Sequence, residues 1–88
     1  MNVKTADSYV LMKGTKKGGG YQATQIGDFY ISVNYGRLII YKINKGGKVF
    51  LFNEKIKYNI FGNYKFKFLL KDGNLKFIFN KKAKSIKA

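Results

Sequence analysis

The residues able to take part in binding chemistry are basic and aromatic, and the usual catalytic side chains are missing. Eighteen Lys and Arg stand against four acidic residues, which gives a formal net charge of +14, and the chain has seven Tyr and eight Phe. It has no His and no Cys, so the common general bases, thiol nucleophiles and transition-metal ligands are absent. We therefore expect no enzyme activity, no metal site, no cofactor and no small-molecule substrate.

The segment Lys13–Tyr21 concentrates positive charge and glycine in front of an aromatic residue. Its lysines are Lys13, Lys16 and Lys17. Lysines can neutralise phosphates, glycine permits a ligand to approach the backbone closely, and Tyr21 can offer a flat ring to a base. The alternative interpretation is a solvated loop tip, since clusters of charge on loops are common.

A second set of candidates is Tyr30, Tyr35 and Tyr41 with Arg37 between them, joined by Lys81 and Lys82 in the basic tail. Proteins that bind single strands combine a positive groove with aromatic rings, and each stacked base contributes about 1–3 kcal/mol. The pattern favours single-stranded nucleic acid as the partner. Any one of these tyrosines could instead be part of the core or of an ordinary strand surface.

The charge balance has two other interpretations. An anionic membrane surface would also attract so basic a chain, and codon bias in an AT-rich genome inflates Lys, Asn, Ile, Phe and Tyr. Codon bias normally raises Glu and Asp as well, however, and here the acids are few.

No apolar run approaches the ~20 residues of a membrane span, and no signal peptide is visible. We expect a cytoplasmic protein with no membrane partner.

The elements that position these residues are β-strands, because apolar residues alternate with period two and helical periodicity is hard to find. A single domain, residues 1–88, with six or seven strands is expected. The predicted strands are Ser8–Met12, Tyr21–Gln25, Asp28–Val33, Arg37–Ile43, Lys48–Phe52, Asn63–Phe68 and Asn74–Phe79. Turns are predicted at Asn34-Tyr35-Gly36, Asn44–Gly47 and Asp72-Gly73.

The core of this domain is predicted to be aromatic. Six Phe at period-two spacing are assigned to it: Phe50, Phe52, Phe66, Phe68, Phe77 and Phe79. An 88-residue chain has a thin core, and association is a common remedy. A homodimer is therefore expected.

In the order of its parts, the chain resembles the single-stranded-DNA-binding proteins of filamentous bacteriophages, the gene V protein type. The likeness lies in the Gly- and Lys-rich segment Lys13–Tyr21, in Asp28–Val33 followed by Tyr35, and in the C-terminal hairpin. That hairpin opens at Gly62-Asn63-Tyr64, turns at Asp72-Gly73-Asn74-Leu75, and leads to the basic segment Lys81–Lys87.

This resemblance implies an all-β fold, a small five-stranded OB-like barrel with a protruding β-hairpin wing. It also implies a two-fold dimer that coats single-stranded DNA cooperatively and without sequence specificity, in phage DNA replication or packaging. DNA is then favoured over RNA, and the location is the host cytoplasm. The wing cations would be Lys13, Lys16 and Lys17, its stacking residue Tyr21, and further surface tyrosines Tyr30 and Tyr35.

Two other functions compete with this prediction. A carbohydrate-binding β-prism module of the bulb-lectin kind is suggested by Asp72-Gly73-Asn74-Leu75, which looks like that family's repeat core. An echo of Ile26-Gly27-Asp28-Phe29 in Phe61-Gly62-Asn63-Tyr64 points the same way, although a net charge of +14 has no role in a lectin. The other alternative is a basic packaging protein that binds duplex.

Overall fold

The computed structural model describes residues 8–16 and 21–87. Eight strands and no helix occur in these ranges, so the predicted all-β class is confirmed. The strands are β1 (Ser8–Thr15), β2 (Tyr21–Ile26), β3 (Phe29–Asn34), β4 (Arg37–Asn44), β5 (Gly47–Lys55), β6 (Asn63–Lys71), β7 (Asn74–Phe79) and β8 (Lys82–Ile86). In the same ranges no helix is long and apolar enough to cross a membrane.

The eight strands form two antiparallel sheets of four strands each. The first, which we call the meander sheet, has the order β2-β3-β4-β5, and each strand pairs with its neighbour in sequence. The second, the lysine-rich sheet, has the order β1-β6-β7-β8, so the first strand joins a C-terminal meander. The described residues contain eight strands, which exceeds the five implied by the resemblance and the six or seven expected from the alternation, and the basic tail supplies β8. No closed barrel is seen in the described residues.

In the described residues β1 and β2 do not pair as the predicted hairpin wing, because they belong to different sheets. The apolar face of β1 explains this arrangement: Met12 and Val10 lie opposite Phe66 and Phe68 of β6, where they pack with the core. The strands on either side of the glycine-rich segment therefore lie in different sheets. Lys17 and glycines 18–20 within it lie outside the described residues.

The inner faces of both sheets pack into one hydrophobic core. The period-two pattern places alternate residues of each strand on that face. The largest fully buried side chains are Phe29, Phe68, Met12, Ile31, Leu38, Ile40 and Leu75. Burying each such side chain contributes about 1.5–3 kcal/mol, so the core holds the sheets face to face and leaves their outer faces in solvent.

Phe50 is an exception to the predicted aromatic core. Its side chain is 62% exposed because β5 contains a bulge opposite Ile40 and Tyr41. Phe52 pairs with inward-facing Ile40, whereas Phe50 pairs with Tyr41 on the outer face. An extra residue in a strand gives opposite alternation on its two sides, so assigning Phe50 to the core was wrong. Phe66, Phe68, Phe77 and Phe79 are buried as predicted.

The chain passes from the meander sheet to the lysine-rich sheet through residues 56–62, which we call the crossover segment. Ile56 anchors it, since this side chain is buried in the core and its N–H donates to the carbonyl of Gly36 at 2.8 Å. At the other end of the segment, the Lys16 N–H donates to the carbonyl of Gly62 at 2.7 Å. The crossover segment is thus fixed to both sheets.

Candidate nucleic-acid interface

Most of the binding residues predicted from the sequence lie at one end of the molecule. The crossover segment, the end of β1, the start of β2, the β3–β4 turn and the β7–β8 turn all meet there, and we call this region the crossover end. Its parts are tied together by the bonds of the crossover segment to Gly36 and Lys16. Asn80 of the β7–β8 turn adds two more bonds, since its Oδ1 accepts from the Lys57 N–H at 3.1 Å and its Nδ2 donates to the Lys55 carbonyl at 3.3 Å.

Three aromatic rings protrude from the crossover end. Tyr21 at the start of β2 is 66% exposed, Tyr35 in the β3–β4 turn is 87% exposed, and Phe61 in the crossover segment is 79% exposed. Exposed rings of this size cost free energy in water, and none of the ring–ring contacts in the described part of the chain involves them. Their faces are therefore open to a planar ligand.

The turn that carries Tyr35 is a tight two-residue hairpin. Asn34 pairs with Arg37, and the two residues between them have positive φ, 49° at Tyr35 and 77° at Gly36, as a type I′ turn requires. A bulky non-glycine residue with positive φ is uncommon and is found where the surrounding structure imposes it. Here the cross-strand pairing holds the Tyr35 ring at the tip of a rigid turn.

Phe61 is held by a side-chain cap in the crossover segment. Asn59 Oδ1 accepts hydrogen bonds from the N–H groups of Phe61 and Asn63, both at 2.9 Å, and the Gly62 N–H donates to the Asn59 carbonyl at 2.9 Å. These bonds form a compact turn of the type that Asn favours. The Phe61 ring is consequently presented by an ordered turn.

Several cationic residues lie at the same end of the fold as the three rings. Cationic residues of the crossover end, in addition to the adjoining Lys13 of β1, are Lys16, Arg37, Lys55, Lys57, Lys81 and Lys82. Among the described acids, Asp28 and Asp72 lie in the β2–β3 and β6–β7 turns, at the opposite end of the sheets, and Glu54 lies near the end of β5. The fold therefore separates two of its three described carboxylates from the exposed rings.

Tyr30 and Tyr41 are positioned differently from what the sequence suggested. They face outward at paired positions of β3 and β4, and their rings stack on one another with centroids 5.3 Å apart and an interplanar angle of 9°. Tyr41 also contacts Phe50 at 5.8 Å, and the Lys48 Nζ lies 4.8 Å from its ring centroid. Tyr30, Tyr41 and Phe50 therefore contact one another across the strands and form an aromatic ladder on the meander sheet. This ladder lies away from the crossover end.

The structure thus brings together Lys16, Tyr21, Tyr35, Arg37, Lys81 and Lys82, with Lys13 beside them on β1. Lys17 lies outside the described residues. Sequence reasoning missed Phe61 and Lys57, which belong to a segment without alternation. The only local signal for them was an apolar pair, Ile60-Phe61, next to a glycine between two predicted strands.

The crossover end has little chemistry beyond charge and stacking. In the part of the chain that the structure describes, no group of three or more His, Cys, Asp or Glu side chains could hold a metal ion. The guanidinium of Arg37 donates to Asn53 Oδ1 at 2.7 Å and to the Asn53 carbonyl at 3.3 Å, so its orientation is fixed. Burial, with a smaller contribution from Tyr58, raises the pKa of Tyr64 above its ordinary value, so this phenol is neutral near pH 7.

Comparison of the chain with protein-family models, with curated proteins and with solved structures finds no match. The interpretation of the crossover end therefore depends on its residues alone.

Proposed function

We propose that this protein binds single-stranded nucleic acid at its crossover end. The observation that carries the proposal is the placement of three exposed rings, Tyr21, Tyr35 and Phe61, at the end of the fold that also holds a group of cations. Single-strand binders use this pair of features, because every base has a face that can stack and every nucleotide brings a phosphate.

Unpaired bases explain the exposed rings better than paired bases do. A ring at the tip of a turn can receive a base on its face only when that base is not already stacked inside a duplex. The rings lie on two turns and a strand end instead of on a helix that could enter a major groove, which is a common way to read duplex. A strand with splayed bases therefore fits this end better than a duplex.

The cations supply a second, sequence-independent contribution. Lysines that contact phosphates release condensed counterions, so affinity falls with salt at a logarithmic slope of about −0.7 for each phosphate contacted on a single strand. The net charge of +14 also accelerates encounter with a polyanion. Charge without the rings would attract any polyanion, and the rings give the preference for unpaired strands.

Single-ring variants test the proposal. Each of Tyr35→Ala and Phe61→Ala should weaken binding to a fluorescent oligo-dT by about 1–3 kcal/mol, which corresponds to roughly 5- to 150-fold, as measured by fluorescence anisotropy. Both side chains are exposed and lie outside the core, so the melting temperature of each variant should change little.

Phe50→Ala is the matched control, because it removes an exposed ring from the aromatic ladder instead of from the crossover end. It should bind oligo-dT as the unaltered protein does. Equal affinities for all four proteins would reject the crossover end as the binding site, and a loss confined to Phe50→Ala would move the site to the meander sheet.

Several finer expectations accompany this proposal without being needed for it. They are an OB-like architecture, a homodimer, preference for DNA over RNA, cooperative coating in phage replication or packaging, and a cytoplasmic location. Each stays a prediction. No observation in the described residues favours the lectin alternative.

A further inference from the structure

The outer face of the lysine-rich sheet is a second surface with a different composition from the crossover end. Its four strands contain seven lysines and no acidic residue. On β1, β6 and β7 the outward lysines are Lys13, Lys65, Lys67, Lys71 and Lys76. We call the outward positions of these three strands the lysine face.

Large apolar side chains are interleaved with these lysines. Tyr9, Leu11 and Ile78 are all more than half exposed, and Leu69 is half-buried. Leu11 pairs across the strands with Lys67, whose Nζ also lies 4.9 Å from the centroid of the Tyr9 ring. The apolar and cationic side chains of the lysine face are therefore direct neighbours.

The arrangement is costly for an isolated protein. Lys13 lies directly opposite Lys65 in the β1–β6 register, and like charges at paired positions are destabilising. The same face exposes aliphatic surface to water, which is unfavourable. Beside Ile78, a shallow groove lined by Lys65, Lys67, Lys76 and Lys84 continues the positive surface toward β8. A negatively charged partner with an apolar interior would relieve both costs.

We infer that the lysine face docks on the surface of an anionic phospholipid bilayer. Lysines near such a surface are attracted to acidic headgroups, while neighbouring apolar side chains can enter the boundary between headgroups and acyl chains. Binding of this kind lays a face of the protein on the membrane and needs no spanning segment. It adds a membrane partner, whereas the sequence predicted none.

Two other occupants fit this face less well. A second copy docked through its own lysine face would bring lysines against lysines, because no strand of this sheet contains an acid. A nucleic-acid strand would satisfy the lysines but would leave Leu11 and Ile78 without a role, since aliphatic side chains are poor platforms for bases compared with aromatic rings. The inference does not depend on the proposed function. The crossover end exposes Tyr21, Tyr35 and Phe61, whereas the lysine face exposes Tyr9, Leu11 and Ile78.

Co-sedimentation with vesicles tests the inference. The protein should bind vesicles of phosphatidylglycerol and phosphatidylcholine and should not bind pure phosphatidylcholine. The double variant K67Q/K76Q should bind the anionic vesicles about 25-fold more weakly, from about fivefold for each lysine. The variant L11N/I78N, which keeps every charge, should weaken binding by at least about tenfold.

A charge-matched control separates docking by this face from general attraction of a basic protein. K45Q/K48Q removes two lysines from the β4–β5 hairpin of the meander sheet and should bind the vesicles as the unaltered protein does. Thermal unfolding of each variant verifies that the fold is retained. Oligo-dT binding by L11N/I78N should be unchanged, so failure of the membrane inference and failure of the proposed function are observed separately.

Three results would overturn the inference. The first is no binding to the anionic vesicles in dilute salt. The second is equal weakening by K45Q/K48Q and K67Q/K76Q, which would indicate net charge alone. The third is undiminished vesicle binding by L11N/I78N together with loss of oligo-dT binding by K67Q/K76Q, which would assign the lysine face to a nucleic-acid strand.

Discussion

Replacing Gly14 by alanine is expected to destabilise the fold because the Tyr64 ring covers this residue. A Cβ on Gly14 would lie 2.6 Å from the Tyr64 Oη, 2.7 Å from Cζ and 2.8 Å from Cε1, closer than such atoms approach in folded proteins. Tyr64 cannot move freely, since its ring is buried and stacks on Phe66 at 5.6 Å. Its hydroxyl donates to Gln22 Oε1 of the other sheet at 3.0 Å.

The magnitude follows from these contacts. Inserting a methyl group into a packed site costs about 1–3 kcal/mol. If the Tyr64 ring turns away to make room, its bond to Gln22 is lost at a cost of about 1 kcal/mol. The expected loss of unfolding free energy is therefore about 2–4 kcal/mol, which lowers the melting temperature of a domain of this size by roughly 10–30 °C.

Urea denaturation monitored by circular dichroism measures this loss. Gly46→Ala is the control, because the nearest atom to its added Cβ is Asn44 Oδ1 at an ordinary 3.5 Å, and it should change stability by less than about 0.5 kcal/mol. In a Tyr64→Leu background the cost of Gly14→Ala should shrink by about 1 kcal/mol or more. A Gly14→Ala protein as stable as the control would refute the packing argument.

Three further predictions concern the core, the alkaline stability and the salt dependence. In urea denaturation, Phe68→Ala should cost about 3–5 kcal/mol, whereas Phe50→Ala should cost about 1 kcal/mol or less; equal costs would contradict the bulge in β5. Because the pKa of Tyr64 is raised in the folded state, the unfolded tyrosine ionises first, so its contribution to stability is complete below pH 10 and is lost as pH rises through the folded pKa. Tyr64→Phe should remove that part of the alkaline decline, and the same pH dependence in both proteins would speak against a buried phenol. Lys57→Gln should make the salt slope of oligo-dT binding shallower by about 0.7, and an unaltered slope would mean that Lys57 contacts no phosphate.

Local patterns in the sequence predicted the strands well. Each of the seven predicted segments coincides with an observed strand to within a few residues, because alternation reports directly on which side chains face a core. The Asp72-Gly73 turn was also predictable, and both residues have positive φ, 53° and 80°. Such turns are specified by the few residues that tolerate that backbone conformation.

The pairing of the sheets was not predictable from the same patterns. β1 pairs with β6, about fifty residues away in sequence, and no local signal distinguishes that partner from the neighbouring β2. Gly14 illustrates the consequence. In the sequence it belonged to a loop that could approach a ligand, but in the structure it lies in β1 beneath the Tyr64 ring.

The candidate site was predicted in part. Tyr21, Tyr35 and Arg37 were identified because aromatic and cationic residues near turns are visible in a sequence, and the structure brings them to one end. Phe61 was not identified, because its exposure depends on how the crossover segment joins two sheets. Tyr41 was predicted to stack on a base, but in the structure it stacks on Tyr30 of the neighbouring strand. This contact depends on the register of β3 and β4, which cannot be read from the residues one at a time.

Binding of unpaired strands at the crossover end is tested most directly by a competition titration with fluorescent oligo-dT at low and at moderate salt. Unlabelled single strand and unlabelled duplex of the same length compete for the protein. We expect tight binding at low salt, displacement by single strand at much lower concentration than by duplex, and a steep loss of affinity as salt increases. Equal displacement by the two competitors, or no binding to oligo-dT in dilute buffer, would contradict the proposal.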